Sequence, residues 1–197
     1  VWSALPSEVE ELSATHRHKN LPEMIIPESI AFTDDISAAC LGKDVIVFAV
    51  PSVYMRATAR RAKAFIADEQ IVVSVAKGFE NETLLTMIIE SEVGKSDRIV
   101  ALSGPTHAEE VSIDMPTMIV AACENLETAQ AVQELFATEF MRVYSNTDIY
   151  GVELCGALKN VMALAAGISE GLGYGDNAKA ALITRGIAEV TRLGIVM

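Results

Sequence analysis

Lys159 stands near the centre of "GVELCGALKNVMALAAG", residues 151–167, a stretch built mostly of small and apolar residues. On a helix it shares a face with Cys155, Gly156, Met162 and Ala163, its neighbours at three and four residues' spacing. Such a face packs against something, and lysine is rarely buried without a partner or a purpose. A desolvated lysine holds its proton less tightly than its ordinary pKa of about 10.4, which suits general acid–base work near neutral pH. Asn160, next in sequence, offers amide donors and an acceptor for orienting a hydroxyl or carbonyl. The plainer alternative is a lysine whose stem lies on apolar surface while its head reaches water.

Three other segments carry groups of the same kind. "AKGFE" (76–80) sets Lys77 just past an apolar run, with Gly78 free to turn the backbone. Lys77 there can meet a phosphate or polarise a carbonyl, or can simply end a strand in solvent. "SGPTHAEE" (103–110) has Gly104 and Pro105 in a turn, and Thr106 and Glu109 at the spacing of a capping box. A helix start in that place can receive an anion, although plain capping explains the same residues. His107 in the first turn reads as a structural contact before an acid or base. "VPSVY" (50–54) brings one aromatic, Tyr54, to a loop that could wall a pocket or be ordinary connection. "GLGYGDN" (171–177) is glycine-rich, but it joins two helical patterns with no strand before it, and it reads as an interhelical turn.

The elements that must position these groups follow a regular order. Residues 44–50, 71–76 and 98–103 are short, β-rich and apolar without alternation, as expected of strands buried on both faces. Helical spacing fills 51–67 and 82–93 between them, and 106–112 reads as a short helix. A strand at 116–123, a helix at 125–138 and a strand at 140–146 close the series, and these last strands could run antiparallel. Alternating strands and helices predict an α/β fold with a mostly parallel sheet covered on both faces. Ligands of such sheets bind beyond the carboxyl ends of the strands, where "VPSVY", "AKGFE" and "SGPTHAEE" lie. Past Asn146 two long helical patterns, 148–170 and 177–193, follow without a strand. The expected division is therefore 1–146 for the sheet domain and 147–197 for the start of an all-helical one.

The chain has 197 residues, is 51% hydrophobic and carries a formal net charge of -12. That charge argues against nucleic acid and against an anionic membrane as partners, since both need a basic surface. A phosphorylated small molecule would have to be held by cations gathered locally, against the overall field. Cys40, Cys123 and Cys155 are odd in number, widely spaced and in apolar surroundings, as expected of reduced, buried thiols in a cytoplasmic protein. With His16, His18 and His107 they form no metal-ligand pattern, and no stretch reads as a membrane span or signal peptide. The first residue is Val1, and the last segment, "EVTRLGIVM", is apolar and uncapped, as expected of a piece of a longer protein.

Taken together, "VWS…EVEELSATHRHKNLPE", "VFAVPSVYMR", "VSVAKGFE", "LSGPTHAEEV" and "GVELCGALKNVMALAAGISEGLGYGDNAKAALITRG" resemble bacterial NAD(P)-dependent glycerol-3-phosphate dehydrogenases over essentially the whole chain. "GALKN" followed by "GDNAKAALITRG" is the specific part. The resemblance implies a Rossmann-type domain for NAD or NADP, lacking its first βα unit, and the beginning of a helical substrate domain. It implies hydride transfer between dihydroxyacetone phosphate and sn-glycerol 3-phosphate, feeding glycerophospholipid synthesis, in a cytoplasmic protein without stable membrane insertion and with a homodimer possible. On this resemblance Lys159 is the catalytic proton donor and acceptor; Lys77, Gly104, Thr106 and Asn160 line the substrate; and Pro51, Tyr54, Lys77 and Ala108 border the cofactor. No metal is implied. The chain departs from the family pattern in lacking the glycine-rich pyrophosphate turn, and Ser3 is followed by Ala4 where a basic residue would favour NADP. Two alternatives stand beside this: a related β-hydroxyacid or 6-phosphogluconate-type dehydrogenase, and a catalytically silent fragment.

Overall fold

The computed structural model describes residues 1–94 and 97–196; the expected reach of the second domain to Met197 ends just outside them. A five-stranded sheet runs in the order β1-β2-β5-β6-β7, formed by β1 (Val45–Phe48), β2 (Ile71–Ser74), β5 (Ile99–Ser103), β6 (Thr117–Ala122) and β7 (Met141–Asn146). The first three are parallel, β6 is antiparallel to β5, and β7 is parallel to β6. The expected α/β sheet with antiparallel additions is therefore present. A short hairpin, β3 (Phe79–Glu80) and β4 (Thr83–Leu84), takes the residues expected to start the second helix. Asn81 and Glu82 turn it at φ 49° and 65°, a left-handed pair suited to a tight hairpin.

Alternate residues of the strands feed two apolar layers. Ile46, Phe48, Val72 and Ile99 meet Met55, Ala59, Leu85, Ile88 and Ile89 from α3 (Met55–Ala62) and α4 (Leu85–Val93). Val73, Val100, Leu102, Ile119, Ala121 and Val143 meet Ala129 and Val132 of α6 (Leu126–Phe136) on the other face. The absence of alternation in 71–74 and 99–103 follows, because each side of those strands enters a core. The remaining short helices are α1 (Pro6–Thr15), α2 (Ile36–Cys40) and α5 (Ala108–Val111). Trp2 bridges Thr33 and lies under the Arg61 guanidinium, 5.3 Å from the ring centre.

Two long helices follow the sheet: α7 (Ile149–Gly171) and α8 (Asp176–Val196), joined by the turn expected at the glycine-rich "GLGYGDN". Asp148 begins α7 by accepting the Gly151 N–H at 2.8 Å. Of its 23 residues only Glu153, Leu154 and Gly156 are buried, and α8 buries only Gly186, against Met162 of α7. Val161, Leu164, Ile168, Ile183 and Ile187 are exposed. By length and composition alone α7 could cross a membrane, which the sequence reading did not anticipate. Three charged residues, Glu153, Lys159 and Glu170, stand within it.

Candidate active site

Because β1, β2 and β5 are neighbours and parallel, the loops after their carboxyl ends lie along one edge of the sheet. Pro51 follows β1 and starts a short 3-10 turn, 52–54, that leads into α3; Tyr54 there is exposed. Gly78 follows β2 at φ 140°, a conformation side chains avoid, and a Cβ on it would come within 3.1 Å of Ser52. The first two loops are thus pressed together. Arg56 of α3 holds the hairpin after Gly78 through Glu80, at 2.6 Å.

Lys77 is half-buried, and its Nζ donates to Thr106 Oγ1 at 3.1 Å. Thr106 in turn donates to the Gly104 carbonyl at 3.4 Å. Gly104 packs so closely on β6 that an added Cβ would be 2.7 Å from the Met118 carbonyl oxygen. Burial, and after it the charge of Lys159, lowers the proton affinity of Lys77 below the ordinary lysine value. Lys159 Nζ donates to Asn160 Oδ1 at 3.1 Å. Lys77, Thr106 and Gly104 therefore form one hydrogen-bonded group and Lys159 and Asn160 another, near enough that the charge of Lys159 acts on Lys77. Pro51, Tyr54 and Ala108 stay on the loop rim, and Ala108 is the exposed first residue of α5. Lys159 also borders a cleft of about 640 Å³ between the end of β5, α7 and α8, with Gly104, Tyr150, Cys155 and Thr191 in its walls.

Several expectations are corrected by this arrangement. The desolvation expected at Lys159 occurs at Lys77 instead: Lys159 is exposed, as are Cys155 and Ala163 of its stripe, Met162 is half-buried, and only Gly156 is buried. α7 buries its Glu153–Gly156 side, and Lys159 lies on a part of the helix that stays exposed. Thr106 does not cap α5. That helix begins one residue later, with His107 as its N-cap, which frees the threonine hydroxyl for Lys77. His107 is a surface partner of Glu109 at 3.0 Å. Cys40 and Cys123 are buried free thiols as expected, but Cys155 is exposed.

The group that sequence reasoning passed over is Glu153. It is 3% exposed and accepts from the Thr86 N–H at 3.0 Å and from the Thr86 hydroxyl. The N-cap of α4 is Leu84, which has no capping side chain, so Glu153 supplies that cap from a residue 67 positions away. The available signal was a second charged residue in the apolar stretch that drew attention to Lys159. A pair of amines at a sheet edge, one with weakened proton affinity, beside a hydroxyl and an amide, can hold an anionic substrate and exchange a proton with its oxygen.

Family models place the same edge in context. The model for the NAD-dependent glycerol-3-phosphate dehydrogenase N-terminus matches residues 1–129, and that for the C-terminus matches residues 148–197. The chain is similar to glycerol-3-phosphate dehydrogenase [NAD(P)+] 2 of Lactobacillus delbrueckii subsp. bulgaricus, 59% identical over all of this chain and 60% of that one. It is 50% identical to the Agathobacter rectalis glycerol-3-phosphate dehydrogenase [NAD(P)+], covering 59% of it. The crystal structure of glycerol-3-phosphate dehydrogenase from Coxiella burnetii superposes with a TM-score of 0.89 at 35% identity, over 99% of this chain and 60% of that one. The chain thus spans about 60% of the length of these relatives. With its Rossmann-like sheet, its following helices and its sequence matched along both segments, the chain belongs to the NAD-dependent glycerol-3-phosphate dehydrogenase family.

Proposed function

We propose that the protein interconverts dihydroxyacetone phosphate and sn-glycerol 3-phosphate with NAD or NADP, and that residues 1–146 form its cofactor domain and 147–197 the beginning of its substrate domain. The observation that carries this reading is the Lys77–Thr106 pair at the carboxyl edge of three parallel strands, with the Lys159–Asn160 pair near enough for the charge of Lys159 to act on Lys77. The residues present fit a dinucleotide along that edge, where the Gly78–Ser52 contact draws two of the rim loops close together. Pro51, Tyr54, Lys77 and Ala108 would border it, and when bound it supplies or accepts the hydride.

In the reductive direction Lys159, as its ammonium, gives a proton to the ketone oxygen as the carbonyl carbon is reduced. In the oxidative direction the neutral amine takes the hydroxyl proton back. Lys77 faces the same oxygen or the phosphate from the other side, steered by Thr106, and Asn160 keeps the Lys159 head in place. The two positive heads offset the chain's net charge of -12 at the one place where a phosphorylated substrate must settle. A second reading gives the proton transfer to Lys77, because its proton is the one loosened by burial. We place the protein in the cytoplasm, without nucleic-acid partners or stable membrane insertion, as a possible homodimer serving glycerophospholipid synthesis.

The test is dihydroxyacetone-phosphate-dependent oxidation of NADH and of NADPH by the full gene product, followed by absorbance. Activity that collapses in Lys159→Ala, with cofactor affinity retained, supports Lys159 as proton donor. Near-normal turnover in that variant, with collapse in Lys77→Ala, transfers the role to Lys77. No turnover with either cofactor refutes the dehydrogenase reading.

A further inference from the structure

α7 buries few of its residues fully, although it packs against α8 and the sheet. Of its residues Glu153, Leu154 and Gly156 alone are buried, and each does something different. Leu154 supplies apolar contact, being 1% exposed. Gly156 sets the distance: a Cβ there would run into Ser103 Oγ, with Lys77 Cγ 4.0 Å away, so the Lys77 stem crosses α7 at this glycine. Leu154, as an apolar contact, constrains rotation only loosely, and Gly156 constrains it only by excluding a Cβ from the space beside Ser103. Glu153 is the directional contact. Both carboxylate oxygens lie against Thr86, with the amide at 3.0 Å and 3.3 Å and the hydroxyl on Oε2.

We propose that Glu153 is a positioning residue: by capping the first turn of α4 from within α7, it fixes the rotation of α7 and thereby the approach of Lys159 to Lys77. The inference rests on the functional reading above for its catalytic meaning, but its geometric content stands apart from it. Glu153 and Lys159 lie three residues on either side of Gly156, nearly one turn each way. Among the described residues Glu153 is held by the Thr86 hydroxyl and the amides at the start of α4; burial raises its carboxyl pKa above the ordinary value, and these hydrogen bonds oppose that rise in part. A carboxyl group held by the amide and hydroxyl of Thr86 at a neighbouring helix start is not available to substrate. Its influence on the site passes through the helix that carries Lys159. Lys77 reports on that influence, since both its burial and the nearby charge of Lys159 depend on where α7 sits.

The experiment follows the acylation rate of the Lys77 amine against pH by peptide mass spectrometry, in the full gene product and its Glu153→Ala, Glu153→Gln and Thr86→Val variants. Steady-state reduction of dihydroxyacetone phosphate is measured beside it. In wild type, Lys77 should titrate below an ordinary surface lysine. In Glu153→Ala its titration should move up toward the ordinary value. Turnover per cofactor-binding molecule should then fall by about tenfold to a hundredfold, the scale of an ångström-sized misplacement. Glu153→Gln, whose amide can still accept from the Thr86 N–H, should keep most of both properties. If Glu153→Ala does not fold, Thr86→Val decides, because it removes one donor and should move Lys77 in the same direction by a smaller step. Lys77 titration and turnover that stay at wild-type values in the folded variants would overturn the proposal. Wild-type protein inactive with either cofactor would refute the dehydrogenase reading alone, and the Lys77 titration would still decide the role of Glu153.

Discussion

Gly156→Ala, combined with Ser103→Ala, tests the seat of α7 most directly. Helix interiors ordinarily prefer alanine to glycine by about 1 kcal/mol, so on propensity alone the substitution would stabilise α7. The structure reverses the sign. The added methyl would overlap Ser103 Oγ, and the next neighbours, Ser103 Cβ at 3.5 Å and Lys77 Cγ at 4.0 Å, are at ordinary contact. Overpacking of this kind costs about 1–3 kcal/mol, which leaves a net loss of about 0–2 kcal/mol for Gly156→Ala alone. Ser103→Ala removes the one atom in the way and keeps the Cβ. In that background Gly156→Ala should be neutral or stabilising by up to about 1 kcal/mol, so the coupling between the two changes is about 1–3 kcal/mol. Thermal unfolding of the four proteins measures it, at about 2–4 °C per kcal/mol for a domain of this size. Dihydroxyacetone phosphate reduction should follow the same pattern, lost in the single glycine variant and regained in the double. If Gly156→Ala has the same effect on stability in both backgrounds, within about 0.5 kcal/mol, the close approach of α7 to β5 is wrong.

Other outcomes follow from separate parts of the structure. Lys77→Ala should raise the Michaelis constant for the phosphorylated substrate and slow turnover, lowering kcat/KM by about tenfold or more if one charge-assisted hydrogen bond is lost. Unchanged kinetics in that variant would leave Lys77 as a strand-end residue. Glu92 sits between Arg56, at 3.1 Å, and Arg60, at 2.9 Å, and the hydrogen bond from Arg60 leads in lowering its pKa from 4.5 to about 2. A lowered carboxyl pKa means stability that is fully present above about pH 4.5 and is lost as pH falls toward 2. Acid unfolding of Glu92→Gln should therefore lack that component between these pH values, and an unchanged acid-unfolding curve would remove the pairing as its cause. Alkylation of the native protein should label Cys155 and spare Cys40 and Cys123, which are buried; equal labelling of all three would contradict their placement.

The sheet was legible because its physics is local. A strand covered on both faces needs apolar side chains at every position, and 71–74 and 99–103 show that without any knowledge of partners. The loops that end these strands were legible for the same reason, which is how Lys77, Gly104 and Thr106 came to be selected. The exposure of Lys159 was not legible. Helical periodicity reports which residues share a face, but not which face meets the protein. α7 buries three residues fully, close together, rather than a full stripe. Thr106 shows the limit at shorter range: a capping box is a pattern of two residues, and a helix of four residues can begin one position later at little cost. The Glu153–Thr86 contact joins residues far apart in sequence, so neither end announces the other.

The position of Lys159 along α7 bears on how well so small a seat can serve a site. A helix of 23 residues is about 34 Å long at 1.5 Å per residue. Tilting it by about 5° around Gly156 moves the backbone at Lys159 by only about 0.4 Å, since the two are three residues apart. The same tilt moves the backbone at Gly171, fifteen residues away, by about 2 Å. Tilt is therefore the harmless motion for Lys159 and the large one for the exposed half of the hairpin. Rotation about the helix axis is different. It swings a long lysine head through a wide arc however close the residue lies to the pivot, and Gly156 resists it only by excluding a Cβ from the space beside Ser103. The contact that resists rotation is the one between Glu153 and the start of α4, so the precision of the Lys159–Lys77 approach depends on a carboxylate that touches neither lysine.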